Sequence, residues 1–136
     1  LAALRIGWCY TSEKVANIIN KIKPPFNTTA ISQSIAIKAL EDKEYIDDIV
    51  KLNFDIKRRF ESQLKLLNIK VRSTEGNFSL IESSNETIDK IYNHLINDGI
   101  ITRRLNSYDL SNFLRISIGT KEEMEETIKS LQSFND

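Results

Sequence analysis

The chain has 136 residues, 19 basic against 19 acidic, and 40% hydrophobic content. That balance suits one compact domain or two small lobes and lacks the clustered basic excess of a nucleic-acid footprint. No apolar run approaches the roughly 20 residues that cross a bilayer as a helix, and one cysteine (Cys9) with one histidine (His94) cannot build an internal disulfide or a Cys/His zinc site.

A lone cysteine fits an intracellular, cytoplasmic setting, and no signal peptide is visible. The chain starts in Leu1-Ala2-Ala3-Leu4 without an initiator methionine, which reads as a piece of something longer.

Leu1 to Tyr10 is a short apolar segment interrupted by Arg5 and Gly7. Ser12 then suits the cap of a helix whose Val15, Ile18, Ile19 and Ile22 recur at helical spacing. Pro24 and Pro25 stop it, since neither continues a backbone ladder. Thr28 or Thr29 opens a second helix with Ile31, Ile35 and Ala39 along one stripe.

From Glu41 or Asp42 to Leu67 runs the longest periodic stretch, with Ile46, Ile49, Ile56, Phe60, Leu64 and Leu67 on one face. About 37 Å long for ~25 residues, it reads as a spine helix between an N-terminal part and a C-terminal lobe. Its charged side reads as a solvated face rather than a binding patch.

The second half alternates. Ile69 to Ser73 is a strand, Glu75-Gly76 a turn, and Asn77 to Glu82 a second strand. Ser83 and Glu86 suggest a capping box for a helix burying Ile88, Ile91, Tyr92, Leu95 and Ile96, ended by Gly99. Ile100 to Arg104 is a third strand and Phe113 to Ile118 a fourth. Gly119 breaks it, and Thr120 with Glu123 caps a last helix carrying Met124, Ile128 and Leu131.

The order is a long helix, then β-β-α-β-β-α, an α+β two-layer lobe with helices on one side of a sheet. Its core is expected from Phe60, Leu64, Val71, Phe78, Leu80, Ile91, Leu95, Leu114, Ile116 and Leu131. His94, at a helix edge, has no neighbour that would make it a catalytic base.

Arg115 is the anomaly. It sits mid-strand between Leu114 and Ile116, where a buried charge costs several kcal/mol unless paired. Either it clasps a planar anion through two parallel hydrogen bonds, or it is a solvated residue on an open sheet face. Spacing alone does not choose.

Five segments in one order add a resemblance: Leu1 to Trp8, Lys23-Pro24-Pro25-Phe26-Asn27, Ala39-Leu40-Glu41-Asp42, Gly76-Asn77-Phe78, and Leu114 to Thr120. Together they resemble the C-terminal part of the histidinol-phosphate aminotransferase family, fold-type I enzymes that use pyridoxal phosphate, over essentially the whole chain. Threonine-phosphate decarboxylases and other aminotransferases of this branch look similar.

The resemblance implies that residues 1–41 derive from the large cofactor-binding domain, 42–67 are the interdomain spine helix, and 68–136 are the small domain. It implies that Arg5, in Leu4-Arg5-Ile6-Gly7, binds the cofactor phosphate, and that Arg115, in Leu114-Arg115-Ile116, grips the substrate α-carboxylate. Arg103 resembles an arginine that helps bind the substrate's phosphate end, although the family usually has proline next and this chain has Arg104. Adjacent strand residues point to opposite faces, so at most one of the pair reaches a common site.

The family's Schiff-base lysine lies just upstream of Leu-Ala-Ala-Leu-Arg and would not be in this chain, so transamination by the 136 residues alone is not expected. The competing reading is a free-standing α+β binding or regulatory domain; DNA binding is a distant third. For a fragment, the apolar faces of Val15, Ile18, Ile22, Ile31 and Ile35 would lack cover and favour self-association, as a homodimer or by exchange of the long helix.

Overall fold

The computed structural model describes residues 2–134 and divides into two compact units, Leu1–Asp47 and Asp48–Asp136. Its elements are α1 (Glu13–Ile22), α2 (Ala30–Glu41), α3 (Lys43–Leu66), β1 (Val71–Arg72), β2 (Phe78–Glu82), α4 (Asn85–Asn97), β3 (Arg103–Arg104), β4 (Phe113–Ser117) and α5 (Lys121–Ser133), with single 3-10 turns at Ala2–Leu4 and Asn106–Tyr108. No helix among the described residues is long and apolar enough to cross a membrane.

The first unit has almost no interior. Ser32 is its one buried residue among those described, its hydroxyl donating to the Leu4 carbonyl at 2.9 Å. Thr29 caps α2, accepting from the Ser32 amide at 3.0 Å, while Ser12 precedes α1 without a side-chain cap bond. Val15, Ile18, Ile22, Ile31 and Ile35 are all exposed, as are Trp8, Tyr10 and Phe26. These are the side chains whose lack of cover the sequence suggests.

The second unit is a four-stranded antiparallel sheet of order β1-β2-β4-β3. One core joins Phe60 and Leu64 of α3, Ile88, Ile91 and Leu95 of α4, Met124, Ile128 and Leu131 of α5, and Ile81, Leu114, Ile116 and Ile118 from the sheet side. The α+β reading, with helices on one sheet face, holds.

Four details differ from the sequence reading, the first being that Ile96 lies on the exposed side of α4 rather than with Ile88, Ile91 and Leu95. Phe78 and Leu80 belong to the opposite face of β2. Ser79 and Ile81 are the buried pair; with Phe78, Leu80 and Ile81 all apolar, alternation alone does not reveal which face is inward. Burying Ser79 is tolerable because its hydroxyl donates to Glu61 Oε1 at 2.6 Å.

The first and third strands are also shorter than expected, for one shared reason. Asn68 (φ 58°) and Gly99 (φ 78°) adopt left-handed backbone after α3 and α4. Ile69 N–H then donates to Leu64 O at 2.9 Å and Ile100 N–H to Leu95 O at 2.8 Å. These are helix-closing bonds, and Ile69 and Ile100 pack against the core that holds Leu64 and Leu95. Residues that look like strand starts are therefore helix ends.

Finally, α4 is capped by Ser84, which accepts from the Thr87 amide at 3.2 Å. Ser83 still pairs its amide with the Asn112 carbonyl, so the helix begins one residue later than the sequence suggests. The Thr120–Glu123 capping box on α5 forms as expected.

Candidate functional site: an arginine row on the open sheet face

The registers place Arg72 opposite Leu80, Leu80 opposite Arg115, and Arg115 opposite Arg103. These four residues form one cross-strand row on the face away from the core. The next row, Val71, Ile81, Leu114 and Arg104, lies on the helix-covered side. The adjacent arginines of β3 are thereby separated. Arg104 forms an ion pair with Asp89 of α4 and donates to Asn106 Oδ1 at 3.1 Å, while Arg103 shares the face of Arg115.

Arg72 has its own counter-charge. Its Nε and the Lys70 ammonium each reach a Glu82 oxygen at 2.6 Å. The hydrogen bond from Arg72, then the one from Lys70, hold the Glu82 carboxyl well below its ordinary 4.5, at about 2. A carboxyl lowered on folding adds stability that is fully present above the unfolded value and disappears as the pH falls through the folded one. Acid unfolding should therefore have a component between pH 4.5 and about 2 that Glu82→Gln removes. An unchanged acid limb in that variant would exclude the contribution.

Arg103 and Arg115 have no such neutraliser among the described residues. Arg103 donates to the Tyr108 hydroxyl at 3.2 Å and lies 5.7 Å from that ring's centroid. Arg115 is half-buried, its guanidinium carbon 4.3 Å from the Phe78 centroid, and its buried Nε has no hydrogen-bond partner. Like charges directly opposite across strands are unfavourable, so this pair is a place where an anion would relieve repulsion as well as gain hydrogen bonds.

Arg5 belongs to the first unit. It is exposed with φ 52°, directly after the Ala2–Leu4 turn. His94 has the partner that sequence proximity does not reveal: its Nε2 lies 2.8 Å from the Ser130 carbonyl of α5, and its ring meets Phe134 edge-on at 5.5 Å. That contact ties α4 to α5. No group of three or more His, Cys, Asp or Glu side chains among the described residues is placed to hold a metal.

A family model for aminotransferase class I and II matches residues 1–131. The chain belongs to this aminotransferase family. Among similar curated proteins, the histidinol-phosphate aminotransferase of Flavobacterium johnsoniae is 38% identical over 144 residues, covering 99% of this chain and 39% of that protein. Histidinol-phosphate aminotransferase 2 of Legionella pneumophila strain Paris is 30% identical over 134 residues, covering 98% of this chain and 36% of that protein. The chain thus spans little more than a third of the length of these relatives.

Among solved structures, histidinol-phosphate aminotransferase from Sinorhizobium meliloti in complex with pyridoxal-5'-phosphate superposes with a TM-score of 0.83 at 24% identity, over 96% of this chain and 36% of that one. A putative histidinol-phosphate aminotransferase from Erwinia carotovora atroseptica gives 0.83 at 21% identity, over 98% of this chain and 38% of that one. At such identities the likeness speaks for the aminotransferase fold.

The sequence reading singled out Arg5, Arg103 and Arg115. It places Phe78 in the core and gives no role to Tyr108 or Lys57, whereas these three hold the arginine row or its neighbouring loop. The Gly76-Asn77-Phe78 triplet was the available signal, but only register shows that Phe78 shares a face with Arg115.

Proposed function

We propose that the chain is the C-terminal part of a pyridoxal-phosphate-dependent histidinol-phosphate aminotransferase of histidine biosynthesis, whose full length moves an amino group between an amino-acid phosphate and a 2-oxo acid. One observation carries the reading: Arg115 lies opposite Arg103 on the open sheet face, half-buried, with no carboxylate among the described residues to neutralise either. A planar, permanently charged fork on a rigid strand suits a substrate α-carboxylate, and Arg103 beside it suits the substrate's phosphate end.

Arg5 fits a contact to the cofactor phosphate, since it is exposed and has no intramolecular hydrogen bond or ion pair among the described residues. When bound, pyridoxal phosphate supplies the electron sink for the amino-group chemistry. What this chain's residues contribute is grip and orientation.

A proton-moving amine is not among those contributions. The one buried lysine among the described residues, Lys57, donates its ammonium to the Thr74 and Gly76 carbonyls, and the other lysines are exposed. The 136-residue chain alone is therefore proposed to be inactive. In the parent, the exposed apolar side chains of the first unit would be covered, with a homodimer as the proposed assembly.

The test mixes the purified chain with pyridoxal phosphate, reduces with borohydride, and maps any modified lysine while assaying histidinol phosphate. No single labelled lysine and no turnover are expected, with light scattering of the same sample showing self-association. One specifically trapped lysine with turnover would overturn the proposed inactivity. A monodisperse monomer would overturn the assembly.

A further inference from the structure

The contacts around Arg115 extend to a second group of residues, on α3 and in the loop before β2. Lys57 of α3 is buried, yet no carboxylate pairs with it among the interactions described. Its Nζ donates to the Thr74 carbonyl, to the Gly76 carbonyl at 3.0 Å and to Thr74 Oγ1 at 3.3 Å. A buried ammonium persists only where fixed acceptors replace its water, so the 74–76 loop and the lysine hold each other. Thr74 Oγ1 passes the restraint on, donating to the Phe78 carbonyl at 2.6 Å.

Gly76 makes room for the ring. A Cβ there would lie 2.8 Å from Phe78 Cε1 and 3.1 Å from Cδ1, so the ring would have to shift from its present place. The Phe78 ring in turn lies under the Arg115 guanidinium, 4.3 Å away, and Arg115 Nε is shielded from solvent without a hydrogen bond. In register, Phe78 faces Ser117, which makes it the diagonal neighbour of Arg115 on the same face.

We propose that Lys57, Gly76 and Phe78 form a positioning device for Arg115: the lysine fixes the loop, the glycine admits the ring, and the ring fixes the guanidinium. The device deepens the proposed function and rests on it for its use, since an arginine oriented in advance loses less side-chain freedom on gripping a carboxylate. Phe78 is the face on which the cation rests. Lys57 acts at one remove.

The experiment is side-chain NMR of the whole 136-residue chain, following the Arg115 Nε–H signal, assigned by its disappearance in Arg115→Lys. Backbone amide spectra establish that each variant is folded. In the unaltered chain this proton should be displaced upfield by the Phe78 ring. Phe78→Leu should return it to an ordinary position and weaken acetate binding about three- to ten-fold, the loss of a partly exposed cation–π contact.

Phe78→Tyr should keep both properties, a rescue that a merely space-filling role does not require. Lys57→Met and Gly76→Ala should each move the signal part of the way while Arg115 itself is untouched. An ordinary Nε–H position in the unaltered chain, or one unaffected by Phe78→Leu, overturns the device. A displaced signal that responds to the ring variants but to neither acetate nor inorganic phosphate supports the device and overturns the carboxylate reading of Arg115.

Discussion

Arg115→Ala should weaken acetate or inorganic phosphate binding to the second unit by about 1.5–3 kcal/mol, roughly ten- to hundred-fold. The magnitude follows from losing hydrogen bonds to a charged acceptor at a site where the other cation, Arg103, remains. Arg115→Lys should recover only part of the loss, because an ammonium keeps the charge without the planar fork. Arg103→Ala should cost less than Arg115→Ala, since its side chain is exposed and already engaged by Tyr108. Chemical-shift titration measures all three, and equal affinities in the unaltered chain and Arg115→Ala would remove Arg115 from the site.

The second large effect concerns stability. Phe60 is 1% exposed and shares one cluster with Leu64, Ile88, Leu95, Leu114 and Leu131. Phe60→Ala should destabilise the second unit by about 3–5 kcal/mol, the transfer loss of the ring plus the cavity it leaves. Phe54→Ala provides the control, six positions earlier on α3 and 62% exposed, and should stay within about 0.5 kcal/mol. Urea unfolding separates the two. A small loss at Phe60 would mean the cluster is not the stabilising core.

Elements with strong periodicity were legible in the sequence. The long α3 helix, the Thr120 capping box and the Gly99 stop all appear where hydrophobic spacing and cap chemistry suggest, although of the α3 stripe Phe60 and Leu64 are buried while Ile46 and Ile49 are exposed. The strand starts were not, because Asn68 and Gly99 draw the following isoleucines into helix-closing hydrogen bonds that a β-branched composition conceals. The face of β2 was also hidden, since Ser79 is buried through a bond to Glu61, eighteen positions away on another element. Arg115 was visible as an anomaly. Its opposition to Arg103 and its seat on Phe78 depend on pairings between strands, which no local pattern records.

The row arrangement also constrains how this lobe can tolerate change. Between β3 and β4, the connecting residues 105–112 can vary in number as long as Arg103 still meets Arg115. A single residue inserted immediately after Gly99 that slid β3 by one step would bring Arg104 to the outer face and send Arg103 toward α4. The ion pair with Asp89 and the outward cation would then have exchanged owners. Odd and even displacements are thus not equivalent in this sheet, and relatives that differ by one residue in that segment need a compensating bulge to keep the same cation facing outward.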